Sequence, residues 1–155
     1  MNIYLDRVKE NKKDALYRLL QFSLFEESQT DGNEMNEEAI FEYKYFDSYF
    51  TDNKRDAFFI REKDTDKLLG FVMINTHMEI KEKGHSIAEF MVIPKYRRNK
   101  IGKKAVFMCF DMYDGIWEVS PCKDSITAYN FWKNVIDEYT NKNNEYINKI
   151  FVFEK

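Results

Sequence analysis

SIAEFMVIPKYRRNKIGKKAVFMC, residues 86–109, is the stretch on which the reading of the chain turns. An apolar run closes at Val92 and Ile93. Pro94 follows, and then Lys95, Arg97, Arg98, Lys100, Lys103 and Lys104, with Gly102 among them. A second apolar run begins at Ala105 with helical spacing. Strand, basic turn, helix is an order in which backbone can hold a phosphate, because a helix N-terminus carries N–H groups without intrahelical partners and about half a unit of positive charge. The N–H groups of Arg98, Asn99, Lys100, Ile101, Gly102 and Lys103 are therefore expected to face a diphosphate. The side chains of Arg97, Arg98, Lys100 and Lys103 would add charge-assisted bonds.

On the C-terminal side, residues 101–113 read as a helix, with Gly115 as the expected C-cap. Residues 116–119 read as a strand closed by Ser120 and Pro121. Residues 124–139 give the clearest helix, with Asp124 or Ser125 as N-cap and Ile126, Tyr129, Trp132, Val135, Ile136 and Tyr139 on one face. Residues 146–153 alternate as a final strand. On the N-terminal side, residues 85–93 form the strand feeding the basic turn, and 57–62 and 68–75 read as a hairpin around KDTDK. Residues 2–8 alternate as a first strand. Residues 14–27 show helical spacing at Ala15, Leu16, Leu19, Leu20, Ser23 and Leu24, followed by a loop over 28–36. Residues 37–50 are expected to form a second helix, although Phe41, Tyr43, Tyr45, Phe46, Tyr49 and Phe50 are too many aromatics for one buried stripe. Strands alternating with helices imply an α/β (α+β) class, a mixed sheet covered by helices.

The 155 residues suit one domain, 1–155, with a sizeable core. No apolar run approaches the ~18 residues of a membrane span, and the opening MNIYLDRVKENKKD has no signal-peptide pattern. Cys109 and Cys122 lack metal-ligand spacing and read as free thiols of a cytoplasmic protein. Charge is uneven. Residues 1–56 hold 8 Lys+Arg and 13 Asp+Glu, a net of −5, while residues 94–104 hold six basic residues and no acid. That is a local anion site on a mildly acidic chain, and not the broad basic face that nucleic acid requires. Neither nucleic acid nor membrane is an expected partner.

VIPKYRRNKIGKKA resembles the acyl-CoA-binding signature of the GNAT N-acetyltransferase superfamily. That signature is a strand ending near Val-x-Pro, then Arg or Gln, two variable residues, Gly, one variable residue, and Gly or Ala. Arg97 and Gly102 match, and Lys100 replaces the first glycine. A lysine there keeps the N–H and adds a cation, and ordinary dihedrals are expected for it at a helix start. SITAYNFWKNV is similar to the family's later motif, Asn-x-x-Ala-x-x-Phe-Tyr. Ala128 and Phe131 match, Ser125 takes the asparagine position and Trp132 the tyrosine position. In the family that tyrosine often protonates the departing thiolate, which an indole cannot do. Tyr129, Tyr139 or water would replace it, or the thiolate would leave unassisted.

The resemblance implies a mixed, twisted, mostly antiparallel sheet of six to seven strands with helices on both faces. It implies acetyl-CoA as acyl donor, no metal, and a small-molecule or peptide amine as acceptor. It further implies that the strand end at Phe90, Met91 and Val92 splays from its neighbour, leaves backbone donors free for acyl-CoA and supplies an oxyanion donor. An alkyl ammonium with a pKa near ~10.4 must lose a proton before it attacks. Glu89, close to that strand end, and Glu118, on the strand that supplies the base in some members, are the candidates, with His77 behind them. The acidic first 56 residues favour a cationic acceptor, and one or two of the aromatics in 37–50 would line its pocket. No covalent nucleophile is indicated, since no His is placed to activate Cys122. The aromatic excess leaves room for a homodimer. A catalytically idle acyl-CoA-binding or regulatory domain on the same fold is the alternative.

Overall fold

The computed structural model describes all 155 residues. Its frame is a seven-stranded sheet, β1 (Ile3–Arg7), β2 (Asp56–Glu62), β3 (Leu68–Asn75), β4 (His85–Val92), β5 (Ile116–Val119), β6 (Glu145–Ile147) and β7 (Ile150–Glu154), in the order β1-β2-β3-β4-β5-β7-β6. Only β4 and β5 run parallel; the other five pairings are antiparallel. The three helices are α1 (Lys13–Asp31), α2 (Ile101–Met112) and α3 (Ile126–Thr140). The mixed, mostly antiparallel sheet with helices on both faces is the expected architecture. No helix is long and apolar enough to cross a membrane.

Strand alternation places the helices. Phe58, Val72, Ile74 and Ile87 point to one face and meet Val106 and Phe110 of α2 and Val135 and Ile136 of α3. Phe59, Phe71, Met73 and Met91 point to the other and meet Leu16, Leu20 and Leu24 of α1. Each large buried apolar side chain contributes roughly 1.5–3 kcal/mol of transfer free energy. α1 runs one turn further than its apolar spacing suggested and stops where Gly32 takes a left-handed φ of 81°.

Four expectations need correction. Residues 37–50 are not a helix: only Asp47–Phe50 form a short 3-10 turn. Asn36 Oδ1 accepts from the N–H groups of Glu38 and Ile40, and Gln21 bonds both the N–H and the C=O of Phe41 at 2.8 Å. With Phe41, Phe46 and Tyr49 all buried, an irregular path seats these rings on the α1 face of the sheet, as one helical stripe could not. Residues 146–153 are a hairpin, β6 and β7, turned at Asn148 and Lys149 with φ of 51° and 65°. α2 ends on an extended Tyr113, with Gly115 in the turn beyond it at φ 101° instead of capping the helix. Lys100 does not have ordinary dihedrals; it caps α2 in the left-handed region, φ 61° and ψ 13°.

Candidate active site

β4 and β5 form a V. They pair only from His85 to Ile87 against Trp117 to Val119, so from Ala88 to Val92 β4 has no strand partner on that side. A register shift accompanies the opening: Ile74 faces Ile87 and Met73 faces Glu89, leaving Ala88 as an extra residue. Such a bulge bends a strand and sharpens its twist. Phe90 lies in the open stretch, stacked on Phe131 at 5.6 Å and edge-on to the buried Trp132 at 5.4 Å. Gly102, in the first turn of α2, faces the same rings; a Cβ there would stand 3.0 Å from Phe131 Cε1.

The basic corner lies just beyond the open end of β4. A short 3-10 turn at Pro94–Tyr96 leads into Arg98 and Lys100, both left-handed, and α2 follows. Left-handed residues at alternate positions are a backbone device for anion-holding nests, and the first N–H groups of α2 add to it. Of the six cations, Lys95, Arg98 and Lys100 are exposed and make no ion pair, and the Lys95 ammonium lies over the Tyr96 ring. Lys103 meets Glu138 at 3.1 Å and Lys104 donates to the carbonyl of Met1 at 2.9 Å. Arg97, expected to face phosphate, is occupied on the opposite side: Nη1 and Nη2 grip Glu26 of α1 at 2.9 and 2.8 Å, and Nε donates to the Val92 carbonyl at 2.8 Å. Asn99 donates from Nδ2 to the Tyr96 carbonyl at 3.2 Å. Gly102, the nest and the unpaired cations Arg98 and Lys100 within it fit a diphosphate-bearing thioester such as acetyl-CoA.

On the α1 face of the sheet, Glu89 stands within the unpaired stretch of β4 and accepts from the Tyr43 hydroxyl at 3.2 Å. Burial, and then the negative charge of Glu27, push its carboxyl up to about 8, while the Tyr43 bond pulls the other way. Glu27 and Asp31, one turn apart at the end of α1, lie with Cys122 in a group whose ligand atoms are all within 4.8 Å of one another. Burial also raises Glu27 and the Cys122 thiol. Three carboxylates thus crowd one side of the cleft.

The other candidates are placed differently. Glu118 is 3% exposed, and its oxygens accept from the N–H groups of Glu79, Ile80 and Lys81 at 2.7–3.2 Å. It is paired with Ser86, in the closed part of the V, and fastens the β3–β4 connection. Tyr129 packs on Phe151 and Tyr146 over β7 and β6. The Tyr139 hydroxyl donates to Asp111 at 2.8 Å. Ser125 Oγ caps α3 by accepting from the Ala128 N–H at 3.1 Å. His77 is exposed past the end of β3. Tyr43, Glu27 and Asp31 were not singled out from sequence. The i, i+4 spacing of Glu27 and Asp31 is the signal for that pair on a helix that runs to Asp31, and Tyr43 has only its place among the aromatics of 37–50.

Residues 14–115 match a family model described as the acetyltransferase (GNAT) family. No curated protein matches the chain. An acetyltransferase from Thermus thermophilus superposes with a TM-score of 0.73 at 13% identity, over 100% of this chain and 98% of that one. A spermidine N-acetyltransferase from Vibrio cholerae, in complex with CoA and spermine, gives 0.60 at 10% identity over 88% and 79%. An aminoglycoside acetyltransferase from an uncultured soil metagenomic sample, in complex with trehalose, gives 0.57 at 17% identity over 86% of each. At these identities the likeness is one of fold. The family model, by contrast, spans more than half of the chain and includes β4, the nest and α2, so the chain belongs to the GNAT acetyltransferase family.

Proposed function

We propose that residues 1–155 act as one acyl-CoA-binding domain that transfers the acetyl group of acetyl-CoA to a primary amine, with Glu89 as general base. The observation that carries this reading is a carboxylate on the unpaired stretch of β4 whose pKa, about 8, suits removal of a proton from an amine near neutral pH. Acetyl-CoA supplies an activated thioester. The amine nitrogen attacks its carbonyl carbon, the C–N bond forms, the C–S bond breaks, and the proton leaves the nitrogen for Glu89. The backbone N–H groups of Phe90 and Val92, which alternation turns to the open side, steady the developing oxyanion, and the nest with Arg98 and Lys100 holds the diphosphate. No tyrosine of α3 is placed as acid, and none is required above pH ~8, because a thiol with a pKa of about 8.5 leaves readily as thiolate and takes its proton from water.

The acceptor we infer is a small cationic amine or a peptide amine, because Glu27, Asp31 and Glu89 concentrate negative charge beside the cleft. The two free cysteines suit the cytoplasm. Release of CoA thiol with spermidine, kanamycin and an N-terminally free peptide, compared with neutral alcohols, tests the reading. Turnover confined to amines and lost in Glu89→Gln is expected; equal rates on alcohols would reject it. The buried Trp132 at the family's tyrosine position favours the second reading, an idle acyl-CoA-binding domain. Thermal stabilisation by CoA, about 2.7 kcal/mol at ~100-fold excess over Kd, without turnover on any amine, would select it.

A further inference from the structure

Tyr43 lies 46 residues from Glu89 in sequence, in the irregular segment between α1 and β2. We propose that Tyr43 is the positioning residue of the base: its hydroxyl donates to Oε2 of Glu89, pins the carboxylate in the open stretch of β4 and leaves Oε1 for the proton of the incoming amine. This deepens the general-base reading above and rests on it.

The segment is built to hold a hydroxyl still. Gln21 of α1 bonds both backbone groups of Phe41, two residues before Tyr43. Phe41 and Phe46 are buried on either side of it. Behind Tyr43 stands the Tyr49 hydroxyl, which accepts from Asn75 Nδ2 at 3.1 Å, and the Arg55 guanidinium lies 5.4 Å from the Tyr49 ring. Burial pushes the Tyr43 hydroxyl far up, so it remains a donor at every working pH. The charged and titratable groups facing Glu89 are Glu27 and Asp31 of α1, Tyr43 of this segment, and Cys122 beyond β5. All the carboxylates oppose its charge. Tyr43 is the hydrogen-bond donor that favours it.

Tyr43→Phe removes that donor and little else. With spermidine as acceptor and acetyl-CoA saturating, kcat/KM at pH 7 should fall about tenfold. The deficit should narrow as pH rises, because the acid limb of the profile moves up by about one unit. In the free protein, carbon-13 NMR of the Glu89 carboxyl should show its midpoint moved up by a similar amount. A deficit of the same size at every pH, or an unmoved midpoint, would overturn the proposal. The NMR arm needs no turnover, so it decides the role of Tyr43 even where Glu89→Gln retains activity and the general-base reading fails. Should Tyr43→Phe not fold, Tyr49→Phe, which loosens the hydroxyl behind it, should shift the same midpoint upward by less; no shift would overturn the proposal.

Discussion

Arg97 and Glu26 are 71 residues apart and meet as a bidentate ion pair, with the Arg97 Nε also bound to the carbonyl of Val92. The arginine of the acyl-CoA signature therefore braces α1 against the open end of β4, one residue before Glu27. It faces away from the nest that Arg98 and Lys100 leave unpaired.

Arg97→Ala is expected to weaken CoA binding less than Arg98→Ala does, by titration calorimetry at fixed salt. The pair is partly exposed, 37% and 46% for the two side chains, so its own Coulomb contribution is about 1 kcal/mol or less. Equal losses of CoA affinity in the two variants would show that Arg97 turns to the phosphate.

Lys100→Gly should stabilise the fold by about 1 kcal/mol, since a left-handed residue with a Cβ carries ~1–2 kcal/mol of strain, partly offset by the entropy of glycine. Calorimetry should show Tm rising by a few degrees. The same variant loses an unpaired cation and should bind CoA more weakly. A fall in Tm would show that the lysine side chain makes a stabilising contact.

Glu89 should make the protein less stable as it becomes more active. Its folded pKa of about 8 lies above its ordinary 4.5, so the folded state binds the proton more tightly. Stability from this group is present below pH ~4.5 and is lost as pH rises through about 8, where the unpaired charge costs a few kcal/mol. The proposed general-base role uses that charge, so kcat/KM should climb over the same window. Glu89→Gln should therefore melt higher than the parent at pH 8.5 and match it near pH 4, with its turnover lost across the range. A variant that melts lower at every pH would contradict this.

Glu118→Ala should cost about 2–4 kcal/mol in denaturant unfolding, because three backbone N–H groups lose a charged acceptor and the site is buried. Glu118→Gln should recover part of the loss. Both should lower Tm while leaving kcat/KM for spermidine in the folded protein within about twofold of the parent, since a loss of ~0.4 kcal/mol or less is expected in a step the side chain does not touch. A collapse of kcat/KM with Tm intact would make Glu118 the base.

The parts legible in sequence were those whose signal is local. The 3.6-residue stripe of Val135 and Ile136, the alternation through Phe58 and Phe59, and the strand–turn–helix order around Gly102 each follow from neighbours within a few residues. Residues 37–50 misled because aromatic density reports burial and not conformation. Their path depends on Gln21 and on the space the sheet leaves for Phe41, Phe46 and Tyr49.

Sequence alone therefore determined the architecture and the basic corner at the start of α2, since hydrophobic period, caps and clustered cations act through short-range sterics and charge. Tertiary structure decided what each carboxylate does. Glu89 and Glu118 are alike in sequence terms: acidic residues on adjacent strands. Three backbone N–H groups reach one and hold it in a structural bond. The other is left against Glu27 and Asp31 with a single tyrosine donor and a pKa of about 8. Desolvation and charge proximity set that difference, and both depend on residues brought together only when the chain has folded.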